Sequence, residues 1–326
     1  MTKERNSSFE LLRIILILLI LIEHGNMWFI GGGYLSEAEH LAKCVVESVC
    51  VGSVNAFVLI SGWFGIKSGM RKIWNLSFMI MFCTIPALIA SFALGWLPLG
   101  VIASWQGIYE YVLGGGGYWF VVDYIGLLIV TPLLNAAVET VTRNQLRGAL
   151  IAGYILILIY DFALRTSVLG IEGGYSLGWF VYLYLLARYI RVYGAGGLCR
   201  YRWTVLIGAV AIQSAMFYFG LIGLRYTNPL ILAASICVVL IFSHYYFKSK
   251  VINHVATAVL MAYLLHMQPV LLPYIRRFLL TEYIEAGYWM YMVEVLVLSC
   301  AVIVIALPLN MLQSAICRKI KLCWSR

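Results

Sequence analysis

Charge is what this sequence has least of. Asp, Glu, Lys and Arg make up only 11% of its 326 residues, against 63% apolar, and its mean hydropathy is +0.92. A surface facing water needs far more charge, so a soluble domain is excluded. The apolar runs also lack the polar/apolar alternation of a membrane β-barrel strand: Ile14-Ile15-Leu16-Ile17-Leu18-Leu19-Ile20-Leu21-Ile22 is unbroken. Among the eight cysteines there is no C-x-x-C, and most lie in apolar segments, so neither a metal site nor a disulfide framework is indicated. Long linkers, low-complexity tracts and internal repeats are absent as well, and the longest polar interruptions, Gly31 to Lys43 and Tyr274 to Gly287, read as loops. The first apolar run is too long for a signal-peptide core and carries Glu10, Arg13 and Glu23, so it is expected to be retained. One membrane domain over residues 1–326 follows.

What is present is helical. Windows of about 20 residues, broken at charge and glycine clusters, predict an all-α chain of ten spans centred near Leu19, Val54, Ile85, Leu128, Ile157, Leu183, Gly208, Leu240, Ala262 and Leu298. Seventeen of the 23 Lys and Arg fall at one set of ends (Lys3 and Arg5; Lys67, Arg71 and Lys72; Arg143 and Arg147; Arg188, Arg191, Arg200 and Arg202; Lys248 and Lys250; Arg318, Lys319, Lys321 and Arg326). The opposite ends hold Lys43, Arg165, Arg225, Arg276 and Arg277, together with seven carboxylates: Glu37, Glu39, Glu110, Asp161, Glu172, Glu282 and Glu285. The positive-inside rule therefore puts both termini in the cytoplasm. The net charge of +9 reflects this topology, and no nucleic-acid partner is implied.

Ionisable groups inside the spans are the functional signal, because hydrocarbon penalises each charge by about 2.5 kcal/mol or more. Arg13 and His24 share the first span. Eleven helical steps of about 100° return the two side chains to within roughly 20° of each other, at depths about 16 Å apart. Glu10, Glu23, Glu47, Asn55, Ser61, Asp123, His266 and Glu294 add to the set, with Glu23 about 100° from His24 on an ideal helix. Such a set implies a polar cavity, which transporters, proton relays and intramembrane enzymes all possess.

Four segments narrow the choice: Phe9-Glu10-Leu11-Leu12-Arg13-Ile14 followed by His24; Val54-Asn55-Ala56-Phe57-Val58-Leu59-Ile60-Ser61-Gly62-Trp63-Phe64; Tyr118-Trp119-Phe120-Val121-Val122-Asp123-Tyr124 through Pro132-Leu133-Leu134-Asn135; and Ala262-Tyr263-Leu264-Leu265-His266-Met267-Gln268-Pro269. In order and spacing they resemble the acyltransferase 3 family: a basic residue, ten intervening positions and a histidine; a Phe-x-x-x-Ser-Gly-aromatic motif; and a Tyr-Leu-x-His element. The chain departs from the family's Arg-x-x-Arg after the second span, where Lys67, Arg71 and Lys72 supply charge but Trp74 replaces the second arginine. Within these residues no appended extracytoplasmic hydrolase-like domain is expected.

The resemblance implies a multi-pass enzyme of a bacterial cytoplasmic membrane that moves an acyl group, commonly acetyl, from acetyl-CoA or another acyl-CoA to a hydroxyl of a glycan or lipid-linked sugar, without a metal. Such chemistry needs a base, donors for the carbonyl oxygen and a site for the anionic end of CoA. His24 is the candidate base, or else an acyl-imidazole carrier. Arg13 either pairs with Glu10, contacts CoA, or does both, and Lys67, Arg71 and Lys72 either meet CoA phosphates or simply mark the cytoplasmic side. Ser61 and Asn55 are expected along the cavity, Ser61-Gly62 being a packing site or a substrate hydrogen bond rather than a nucleophile. Asp123 with Tyr118 and Trp119 suits a sugar, or an interfacial aromatic belt. His266 is a weaker candidate, since a histidine before Pro269 can satisfy broken backbone. Glu23, Glu47 and Glu294 remain cavity candidates. A secondary transporter using the same groups for a solute stays open as the alternative.

Overall fold

The computed structural model describes residues 6–29, 35–67, 69–221 and 223–324. Lys3, Arg5, Arg326 and residues 31–34 of the first loop lie outside them, and the side chains of Lys321 and Cys323 are not among those described. Thirteen α-helices follow in order among the described residues: α1 Ser7–Glu23, α2 Glu37–Cys50, α3 Ser53–Phe64, α4 Met70–Ala93, α5 Trp105–Tyr111, α6 Trp119–Thr140, α7 Arg143–Ile157, α8 Leu177–Tyr193, α9 Leu198–Tyr218, α10 Pro229–Ser243, α11 Lys250–Val255, α12 Val259–His266 and α13 Leu272–Trp324. Among the described residues no strand interrupts them.

Local chemistry sets the ends. Asn6 caps α1 through the Ser8 N–H, Ser36/Glu39 and Thr142/Gln145 form capping boxes on α2 and α7, and Asn228 caps α10 with Pro229 in its first turn. α12 stops at His266, ahead of Gln268-Pro269, where a helix N–H would be lost.

Five helical stretches among the described residues are long and apolar enough to cross a membrane: Glu37–Phe64, Met70–Ala93, Gly115–Thr140, Arg143–Ala163 and Leu272–Ile320. The expectation of ten is not reached by length and composition, although every one of the ten centres lies in a helix. The remaining centres fall in shorter or more polar helices. α1 and α8 have 17 residues, α10 has 15 and α12 eight, while α9, at 21, carries Arg200, Arg202 and Gln213. The two predicted loops are also revised. Residues from Glu37 onward belong to α2, and Tyr274 to Ala286 is helical, the run breaking at Gly287, whose φ of 76° and ψ of 167° suit glycine. Bulky apolar side chains such as Ile89, Ile129, Ile207 and Val304 are more than half exposed, which water would not tolerate over such an area and lipid does. The chain is a membrane protein.

α1 is the centre of the bundle, packing against α2, α3, α10, α11, α12 and α13. Its first turn is tied to the segment before α11: Ser7 N–H donates to Phe247 O, and the Ser249 N–H donates to Ser7 Oγ. The main core lies where α3 crosses α8 beside α6, with Leu59, Ile60, Leu127, Trp179 and Phe180 almost wholly buried. Gly62 permits that crossing, since a Cβ there would stand 2.5 Å from Tyr184 O.

Candidate active site

One face of α1 lines an intramembrane cavity of about 790 Å³. Arg13, Ile17 and Ile20 contribute at helical spacing, and Glu23 and His24 follow where α1 gives way to a π-turn, His24–Phe29, a feature that often marks functional sites. α3 adds Val54, Phe57 and Ser61, α6 adds Trp119, Phe120 and Tyr124, and α12 adds Tyr263. Beside Arg13 the lining includes Ala256 and Thr257, next to α11; at the other end it includes Glu172, Tyr175 and Tyr226 from interhelical segments. The cavity thus follows α1 over about three turns, with a cation toward one end and aromatic rings at the other.

His24 sits partly buried in this wall, and its Nδ1 lies 2.9 Å from Nε2 of His266. The second histidine comes from α12, 242 positions along the chain, and its own Nδ1 is 3.3 Å from Ala262 O. Two reciprocal tyrosine bonds hold α12 against the start of α6: Tyr118 donates to Leu264 O at 2.6 Å, and Tyr263 to Gly117 O at 2.8 Å. Arg13 donates to Glu10 Oε1 at 2.7 Å while lining the cavity, so its ion pair leaves it at the cavity wall. Ser61 Oγ stands 3.2 Å from Tyr124 OH, both lining the cavity, and 3.2 Å from Phe57 O. Trp119 packs on Tyr175 and stacks with Tyr226, their centroids 4.7 and 6.1 Å away.

A family model described as an acyltransferase domain matches residues 6–311. The chain belongs to the acyltransferase 3 family. No curated protein and no solved structure matches it.

Among the residues singled out from sequence, the acyltransferase 3 fold places Arg13, His24, Ser61 and Trp119 on the cavity wall. Others have different surroundings. Asn55 is fully buried off the cavity, accepting from Trp179 Nε1 at 2.9 Å and donating to Tyr226 O at 2.8 Å, which ties α3 and α8 to the aromatic segment around Tyr226. Tyr118, also fully buried, is committed to Leu264 O, and His266 stands behind His24 rather than on the wall. Asp123 is part-buried and outside the lining. Lys67, Arg71 and Lys72 are exposed and outside the lining, Lys72 donating to the Lys67 carbonyl. For Asn55 and Tyr118 the reason is rotation: a polar residue in a span can face a neighbouring helix as readily as a cavity.

Sequence reasoning missed Tyr175, Tyr226 and Glu172, which sit between helices and have no periodicity to betray them. Their placement depends on Asp161, expected only as an outer-side charge. Its carboxylate accepts from Gly173 N–H (2.7 Å), Thr227 Oγ1 (2.7 Å) and Arg225 Nη1 (3.1 Å), and Tyr226 N–H donates to Gly173 O. Glu47, a candidate from its depth alone, accepts from Asn26, to which Tyr288 also donates.

Proposed function

We propose that this acyltransferase 3 protein is an O-acyltransferase of a bacterial cytoplasmic membrane. It takes an acyl group, acetyl in the simplest case, from cytoplasmic acyl-CoA and passes it to a hydroxyl of an envelope glycan or lipid-linked sugar. The observation that carries this reading is His24, backed by His266, on the wall of a cavity that has Arg13 toward one end and Trp119, Tyr175 and Tyr226 at the other. By the distribution of cations the Arg13 end is cytoplasmic, the side that holds acyl-CoA. Aromatic faces with a nearby carboxylate, here Glu172, suit a sugar at the opposite mouth.

In this scheme the imidazole of His24 removes the acceptor's hydroxyl proton as the oxygen attacks the thioester carbonyl carbon. The tetrahedral adduct collapses with cleavage of the C–S bond, and the departing thiolate takes the proton from the His24 imidazolium. Ester and free CoA thiol result, and no net proton is consumed. With Ser61 donating to Phe57 O or to Tyr124 OH, the Tyr124 hydroxyl is left to supply a hydrogen-bond donor on the same wall for the developing oxyanion. Arg13 offers a guanidinium to the anionic donor, with Lys67, Arg71 and Lys72 as an exposed basic surface for its nucleotide phosphates.

The test is CoA-thiol release from acetyl-CoA by purified protein in nanodiscs, with candidate glycan acceptors added in turn. Release should fall at least about 10²-fold in His24→Ala. A folded preparation that neither binds nor turns over acetyl-CoA across a broad acceptor panel overturns the reading in favour of solute transport.

A further inference from the structure

His266 is not among the residues that line the cavity and meets it through His24, which is. Its value lies in two distances. A backbone carbonyl can only accept, so the 3.3 Å approach of His266 Nδ1 to Ala262 O requires the proton of the neutral ring to sit on Nδ1. Nε2 of His266 then carries the lone pair. That nitrogen is 2.9 Å from His24 Nδ1, which must therefore be the donor. With its single proton on Nδ1, a neutral His24 has its lone pair on Nε2, the nitrogen away from His266. The opposite assignment would set a lone pair against the Ala262 carbonyl.

We infer that His266 is a positioning residue that fixes His24 in the Nδ1–H tautomer and so reserves Nε2 of His24 as its basic nitrogen. The same hydrogen bond holds the plane of the His24 ring, and after proton uptake at Nε2 the Nδ1–H continues to donate to a neutral acceptor, which steadies the imidazolium. A carboxylate serves this purpose in many catalytic triads, where the wrong tautomer costs orders of magnitude in rate with the geometry intact. Here the acceptor is a second imidazole, oriented in turn by a carbonyl of its own helix. The tyrosine bonds from Tyr118 to Leu264 O and from Tyr263 to Gly117 O fix that helix, which gives the relay a rigid base. The inference rests on the proposed acyl transfer only for its kinetic consequence; the tautomer is a property of the resting protein.

Two measurements test it. Nitrogen NMR of 15N-histidine-labelled protein in nanodiscs, with His24 identified by the resonances lost in His24→Ala, should show its Nδ1 protonated and its Nε2 bearing the lone pair; His266→Ala should convert this into a tautomer mixture. In acetyl-CoA turnover, His266→Ala should lower kcat by about 10²-fold and change KM by no more than about threefold, while His266→Gln, whose Oε1 can accept from the His24 Nδ1–H, should regain at least about tenfold. An Nε2–H tautomer of His24 in the wild type overturns the inference, as do folded Ala and Gln variants of equal kcat. If His266→Ala does not fold, the wild-type and Gln spectra decide. A wild type with the expected tautomer that releases no CoA refutes acyl transfer and leaves the role of His266 supported.

Discussion

Replacing Asp161 with alanine is the sharpest probe of how the aromatic end of the cavity is built. The carboxylate is 1% exposed and accepts three hydrogen bonds, while its ion-pair partner Arg225 is 26% exposed and also donates to Asp161 O. Hydrogen bonds to a charged acceptor contribute about 1.5–3 kcal/mol each, so a plain sum would exceed about 4 kcal/mol. That sum is too large, because the Thr227 hydroxyl can rotate and Arg225 keeps both its backbone acceptor and some access to solvent. Breaking a buried pair on one side typically costs about 3–5 kcal/mol, and the lower half of that range is expected here. Thr227→Val, which removes a single donor at nearly constant volume, should cost about 1 kcal/mol. Reversible unfolding in mixed micelles measures both. Because Gly173 and Tyr226 are held through the same carboxylate, Asp161→Ala should also raise KM for the acceptor more than it lowers kcat. A loss below about 0.5 kcal/mol, or a Thr227→Val loss equal to that of Asp161→Ala, would refute this account of the clip.

The remaining expectations concern packing and the donor. Gly62→Ala should destabilise by about 1–3 kcal/mol, because its new Cβ meets the Tyr184 carbonyl and the Ala187 Cβ at 2.5 and 2.7 Å; Gly148→Ala, with nothing within 4 Å, should be neutral or stabilising in the same unfolding assay. Asn55→Leu leaves the Trp179 indole N–H and the Tyr226 carbonyl without their partner and should cost about 1–3 kcal/mol, with a double-mutant cycle against Trp179→Phe showing positive coupling. Arg13→Gln should raise KM for acetyl-CoA by about tenfold with kcat changed by less than about threefold; an unchanged KM would reduce Arg13 to the structural partner of Glu10.

Much of this was legible in one dimension wherever the deciding physics is local. The alignment of Arg13 with His24 follows from helical periodicity alone, and both line the cavity as that periodicity requires. The Glu10–Arg13 pair is a one-turn contact for the same reason. Depth in a hydropathy plot was a poorer guide. It marked Asn55 and Tyr118 as polar or interfacial, but hydropathy carries no rotation, and these side chains turned to Tyr226 and Trp179, and to Leu264. All ten centres placed by hydropathy fall in helices, and five of them lie in stretches that length and composition alone make long enough to span among the described residues; hydropathy cannot see where α12 ends or where α1 passes into a π-turn.

The sequence by itself determined the solvent, the all-helical class and the family, since these depend on composition, on period and on short motifs read in order. Only the tertiary structure decided that His24 meets His266, that Asp161 gathers Gly173, Arg225 and Thr227, and that Tyr175 and Tyr226 close the cavity. Each of those pairings joins segments distant along the chain. Their geometry is fixed by how helices pack side against side, at crossings such as Gly62 on Tyr184, and that packing is a property of many residues at once.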